Sequence, residues 1–160
     1  MQQEFVMTVE EFWNEWLATQ PEEVRKERPY GGEIQFGFDE AMSAWLTPLV
    51  LSGQKQATTS ALESFQIDNE KLPVAGHFYV LTDWNGNPLG IIQDVKVDIL
   101  PFDQVPWSMA QKEGEDESLE SWRENHIEAF QEDADIMGYT FRMDMPVVFE
   151  EFRLVYKGEL

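Results

Sequence analysis

The stretch Gly53-Gln54-Lys55-Gln56-Ala57-Thr58-Thr59-Ser60 sets an amine three residues before a hydroxyl. Such a pair can do nucleophilic chemistry. A threonine oxygen attacks poorly until a base takes its proton, and a lysine can be that base where a dry pocket lowers its pKa. A carboxylate brought close could hold the lysine or deliver a proton to a leaving amine. An ionised carboxylate would also raise the lysine pKa, so burial would have to outweigh the pairing for Lys55 to act as a base. The plainer reading of the same residues is a lysine offsetting the dipole at a helix C-terminus and a strand threonine bonded within its sheet.

Metal chemistry has fewer candidates. There is no cysteine, which excludes a disulfide framework, thiolate metal sites and thiol catalysis. With only His77 and His126, a zinc site would need carboxylates as its other ligands. His126 shares a helical stripe with Trp122 and Phe130, where a histidine bonded to a backbone group is the commoner outcome. Glu113-Gly114-Glu115 could hold a divalent cation, but an acidic loop without an ion is the ordinary case. The expectation is no metal and no cofactor.

The elements that must position these residues follow from periodicity. Met42, Trp45, Leu46, Leu49 and Val50 recur at three and four, the buried stripe of a helix capped by Asp39 and stopped by Gly53. Pro48 conflicts with that helix and implies a kink or a new turn capped by Thr47. Ala57 onward reads as a strand, so Lys55 lies in a short connection fixed at both ends. Thr8-Val9-Glu10-Glu11 fits a capping box that opens a helix with Phe12, Trp13, Trp16 and Leu17 on its apolar face. Pro21 ends that helix, and Glu22 to Arg28 reads as a solvated connection. Ile34, Phe36 and Phe38 alternate to one side. Phe78 to Leu81, the turn Asn85-Gly86 and the β-branched run from Pro88 to Leu100 predict a central antiparallel pair. A short helix over Ser108–Glu113 ends at Gly114, and Ser118 caps a longer one with Leu119, Trp122, His126 and Phe130 inward. The closing strand runs from Pro146 to Tyr156. These elements predict an α+β fold with a small curved or closed sheet; a Rossmann fold lacks its Gly-rich loop and βαβ alternation.

With 160 residues, one compact domain is expected, burying roughly two-thirds of its unfolded surface. The formal charge of −20, from 31 acidic residues against 11 basic, repels polyanions and argues against duplex nucleic acid as a partner. A single nucleoside or a short single strand suits such a protein better. The start Met1-Gln2-Gln3-Glu4-Phe5 lacks the order of a signal peptide, and no apolar run approaches the roughly 18 residues of a membrane span, so the expectation is a cytoplasmic protein with no membrane partner.

Three segments together resemble the ASCH domain. They are Leu49 to Ser60; Leu72-Pro73-Val74-Ala75-Gly76 with Gly86-Asn87-Pro88-Leu89-Gly90-Ile91-Ile92; and Glu113-Gly114-Glu115 with Ser118-Leu119-Glu120-Ser121-Trp122-Arg123-Glu124-Asn125-His126. The match runs in order from about residue 36 to 156, and the helix with Trp13 and Trp16 is similar to the extension of longer bacterial members. The resemblance implies a PUA-like β-barrel with flanking helices over 36–160, an N-terminal helical extension over 1–35 packed on it, and a link to RNA. Some small members hydrolyse N4-acetylcytidine with a Lys, a Thr three residues on and a Glu; these map to Lys55, Thr58 and Glu115. Other members act as ribonucleases on single-stranded RNA. The departure is Gln56, where the family usually has Thr, which bears on substrate preference.

The expected site is thus Lys55, Thr58 and Glu115 as catalytic residues, with Phe36, Gln56, Ser60, Trp122 and His126 around the substrate. Three functions compete for it: amide hydrolysis of an acylated nucleoside, recognition of a modified base or short RNA without cleavage, and metal-assisted cleavage of single-stranded RNA. Trp13, Trp16 and Phe36 could wall the pocket or fill the core.

Overall fold

The computed structural model describes residues 7–27 and 29–158. Met1 to Phe5, read above for a signal peptide, and Arg28 of the charged connection lie outside them. Helix α1 (Val9–Ala18) begins at Thr8, whose hydroxyl accepts from the Glu11 N–H at 3.1 Å. Its Phe12, Trp13, Trp16 and Leu17 are buried, with both tryptophan rings tilted against Phe78. The tryptophans therefore belong to the core. The charged segment that follows forms a short helix, α2 (Glu22–Glu27), with no buried residue.

Strand β1 (Tyr30–Ile34) precedes α3 (Glu40–Leu51), capped by Asp39, whose carboxylate accepts from Met42 N–H at 2.8 Å. Pro48 is accommodated inside α3, and the Ser52 N–H returns to the Pro48 carbonyl at 2.9 Å. The stripe differs from the expected one. Ser43, Leu46, Thr47 and Val50 are buried while Trp45 is 55% exposed, because the inward face is set by the sheet and Trp45 falls beside it. Then come β2 (Ala57–Ala61), a short helix α4 (Leu62–Ile67), the hairpin of β3 (Phe78–Thr82) and β4 (Pro88–Pro101), α5 (Trp107–Ala110), α6 (Leu119–Met137) and β5 (Pro146–Lys157).

The five strands form one sheet in the order β1-β3-β4-β5-β2. The expected barrel is not what forms. The sheet is open, with β1 and β2 at its two edges, and β1 runs parallel to β3 while the other pairs are antiparallel. Closure would require β1 and β2 to bond, and each is a five-residue strand with a single ladder. Long β4 and β5 carry the sheet, and β4 has irregular register between Asp94 and Lys96. That bulge leaves Val95 53% exposed and turns Asp94 inward.

Three apolar clusters fill the interior. One packs α1 on β3 and β4; a second packs α3 with Phe36 on Tyr79, Leu81, Ile92 and Phe152; the third holds α6 through Trp122 and Phe130 on Phe102, Met145 and Val147. No helix among the described residues is long and apolar enough to cross a membrane.

Candidate functional site

Two turns bring the chemistry together. The first follows α3: Gly53 takes the left-handed conformation (φ +82°), and Lys55 N–H bonds back to the Leu49 carbonyl at 3.0 Å before the chain enters β2. The second is the 3-10 turn Gln111–Glu113, ended by Gly114 at φ +70°. They are bonded to each other. Gln56 N–H donates to the Lys112 carbonyl at 2.8 Å, and the Gln54 side-chain amide donates to the Gly114 carbonyl at 2.7 Å.

Gly114 is required on two counts. Its φ disfavours any side chain, and a Cβ there would lie 2.3 Å from the Gln54 carbonyl oxygen. Gly138 caps α6 at φ +90° with open space around it. Gly138→Ala should therefore lose only the strain, roughly 1–3 kcal/mol, and Gly114→Ala should lose more. Urea midpoints of the two variants measure the difference. Equal losses would show that the close approach to Gln54 contributes nothing.

Glu113 is the centre of the assembly, 2% exposed. One carboxylate oxygen accepts from Lys55 Nζ at 3.1 Å; the other accepts from Thr59 Oγ1 at 2.8 Å and Trp122 Nε1 at 2.7 Å, with His126 Nε2 at 3.1 Å. Lys55, itself 2% exposed, also bonds Glu115, and its Nζ lies 5.7 Å from the centroid of Phe36. His126 Nδ1 meets the Trp122 carbonyl at 2.8 Å, the backbone bond expected of a core histidine. With a carboxylate on its other nitrogen, the ring is set to be doubly protonated.

The charges decide which groups can move protons. Burial alone would lower the Lys55 pKa, but Glu113 and Glu115 outweigh it and hold the amine above its ordinary value. The condition for Lys55 as a base, burial outweighing pairing, is therefore not met in this state of the site. Burial would raise Glu113, but Lys55 and His126 keep it well below the usual carboxylate range. For Glu115, burial pushes the carboxyl up, Lys55 opposes and Glu113 adds, and the net shift is upward. His126 is lowered by burial and raised more by Glu113, ending above its ordinary value. Glu115 is thus the carboxylate of the pair best suited to exchange a proton.

Lys55, Thr58, Glu115, Phe36, Ser60 and His126 all line one cavity of about 940 Å³. Thr58 makes no side-chain hydrogen bond among the described residues, so its hydroxyl is free to meet a ligand. Trp122 is fully buried behind Glu113, and Gln56 is exposed with its side chain bonded to the Gly53 carbonyl at 3.1 Å. Two features escaped the sequence. Glu113 and Thr59 hold the cluster together, and Glu150, on the same cavity wall, is the register partner of Thr58 across β2 and β5. The two glutamates of 113–115 were visible; nothing local marks which one is buried.

A family model described as the ASCH domain matches residues 32–156. An ASCH domain from Lactobacillus crispatus JV V101, known from a high-resolution crystal structure, is 32% identical, with a TM-score of 0.81 over 91% of this chain and 92% of that one. Protein EF3133 from Enterococcus faecalis V583, also a crystal structure, is 32% identical with a TM-score of 0.76, over 93% of this chain and 88% of that one. No curated protein matches the chain.

Proposed function

The chain belongs to the ASCH domain family, and from that premise we propose that its cavity binds an acylated nucleoside, N4-acetylcytidine or a close relative, and hydrolyses the amide. The observation that carries the reading is a buried Lys55–Glu115 pair lining the same cavity as Thr58, whose hydroxyl has no hydrogen-bond partner among the described residues. In this mechanism Glu115, not Lys55, takes the proton as Thr58 Oγ attacks the acyl carbon. The charged Lys55 ammonium stabilises the oxyanion, a role suited to a fixed cation in a water-poor site. Collapse breaks the C–N bond as Glu115 returns the proton to the leaving amine, and water then hydrolyses the threonine ester. Glu113 anchors Lys55 and leaves Glu115 to exchange the proton.

Cytidine release from N4-acetylcytidine, followed by chromatography, tests this. Thr58→Ala and Glu115→Gln should each lower turnover roughly 100-fold or more, the scale of a lost nucleophile or acid–base group. No release from the wild-type protein would remove the hydrolase reading. A second reading, recognition of a modified base without cleavage, is favoured by the fully paired state of Lys55; it predicts binding without product and no dependence on Thr58. The net charge of −20 weighs against a long RNA strand under either reading, and so against a ribonuclease.

A further inference from the structure

Beside the Lys55 cluster, the same cavity is walled by a second set of acids that the mechanism leaves unused. Glu150 on β5 lines it at 5% exposure, and Asp94 on β4 lies behind it at 1%. Both Asp94 oxygens are fully enclosed and have no hydrogen-bond partner among the described residues. The groups set against Asp94 are Glu150 and the Tyr79 hydroxyl from β3; Glu70, from the segment after α4, adds its charge to Glu150. Thr58 stands beside Glu150 as its register partner, which puts their Cβ atoms about 4.5–5.5 Å apart. Two such carboxyls in a dry wall cannot both be ionised at neutral pH.

We propose that Glu150 is the base-reading residue of the cavity, recognising a nucleobase edge in which an acceptor ring nitrogen sits beside an exocyclic N–H, as in cytosine and adenine. The inference deepens the nucleoside reading and rests on it. A protonated carboxyl carries a donor and an acceptor side by side, the complement of that edge. Uracil presents a ring N–H between two carbonyls and finds the wrong pattern. At rest the two carboxyls hold one proton between them; an incoming ring nitrogen meets it on Glu150, the member that lines the cavity. Burial, and then Asp94, push Glu150 up to about 9, whereas Asp94 rises only to about 6, so Glu150 is the member that keeps the proton at neutral pH. A base seated there brings its exocyclic nitrogen toward Thr58.

Calorimetric titration with cytidine, the product and so not turned over, tests this without requiring catalysis. Cytidine should bind the wild type at least roughly tenfold more tightly than uridine, and Glu150→Leu should lose that preference, the scale of one or two buried hydrogen bonds. Glu150→Gln keeps a donor and an acceptor, so it should keep the preference. Between pH 7 and 10, wild-type affinity should fall as Glu150 ionises, while Glu150→Gln stays flat; this separates Glu150 from Glu115 and His126, which titrate in both proteins. No cytidine binding to the wild type, or equal binding by Glu150→Leu, overturns the inference. Cytidine binding that obeys these rules without hydrolysis of N4-acetylcytidine keeps it and removes the hydrolase; hydrolysis with binding indifferent to Glu150→Leu does the reverse.

Discussion

Replacing Glu113 by alanine is expected to remove about 3–5 kcal/mol of folding stability, the cost of breaking a buried ion pair by deleting one partner. The variant leaves Lys55 in a dry site with Glu115 alone, and it strips the acceptor from Thr59, Trp122 Nε1 and His126. Against a whole-domain stability of about 5–15 kcal/mol, this is a large fraction. Glu115→Ala should cost less, because its side chain is 12% exposed and bonds Lys55 without the other three partners. Urea unfolding of the two variants decides the matter. A Glu113→Ala loss no larger than that of Glu115→Ala would show that the cluster is not centred where the geometry puts it.

Stability should fall as pH rises from about 4.5 to about 9, and Glu150→Gln should flatten much of that fall. The unfolded chain gives up the Glu150 proton near its ordinary value of 4.5, while the folded chain keeps it to about 9. Across that window the native state binds more protons, so stability declines with pH. Asp94 contributes in the same direction between 3.8 and about 6. His126, raised in the fold, adds stability that is fully present below about 6.5 and is lost as pH rises through its folded pKa. Glu113 acts oppositely: its contribution is present above its ordinary value of 4.5 and disappears only as pH falls through its depressed one. Repulsion within a chain of net charge −20 also grows with pH, and the glutamine variant leaves that part in place. Thermal midpoints from pH 5 to 9 for both proteins measure the contribution of Glu150. Parallel profiles would mean that Glu150 is ionised throughout.

Local signals made much of this legible. Asp39, Gly53 and Ser118 mark helix ends, Asn85-Gly86 marks the hairpin, and the Lys55–Thr58 spacing at a helix-to-strand junction points to the cavity wall. Glu115 came through the family likeness. Glu113 was hidden, because its partners Thr59, Trp122 and His126 come from a distant strand and from the next helix, and an acidic loop looks the same whether solvated or buried. Trp45 misled because three-and-four spacing gives the width of an apolar stripe but not where the sheet cuts it off. Asp94 carried no local signal of its burial. In a β-branched run the apolar residues claim the interior, yet the bulge exposes Val95 and buries its acidic neighbour. Sheet closure depends on pairing between edges that are remote in sequence, which local pattern does not encode.

The place of β2 at the sheet edge has a kinetic consequence. Its ladder partner is β5, whose residues 146–157 come almost ninety positions later in the chain. During synthesis, β2 therefore stays unpaired until β5 emerges to receive it. Its pairing is a late, long-range closure, the kind of contact that slows folding. A nascent chain halted before β5 is expected to leave β2 open along both sides, one of which the final strand covers.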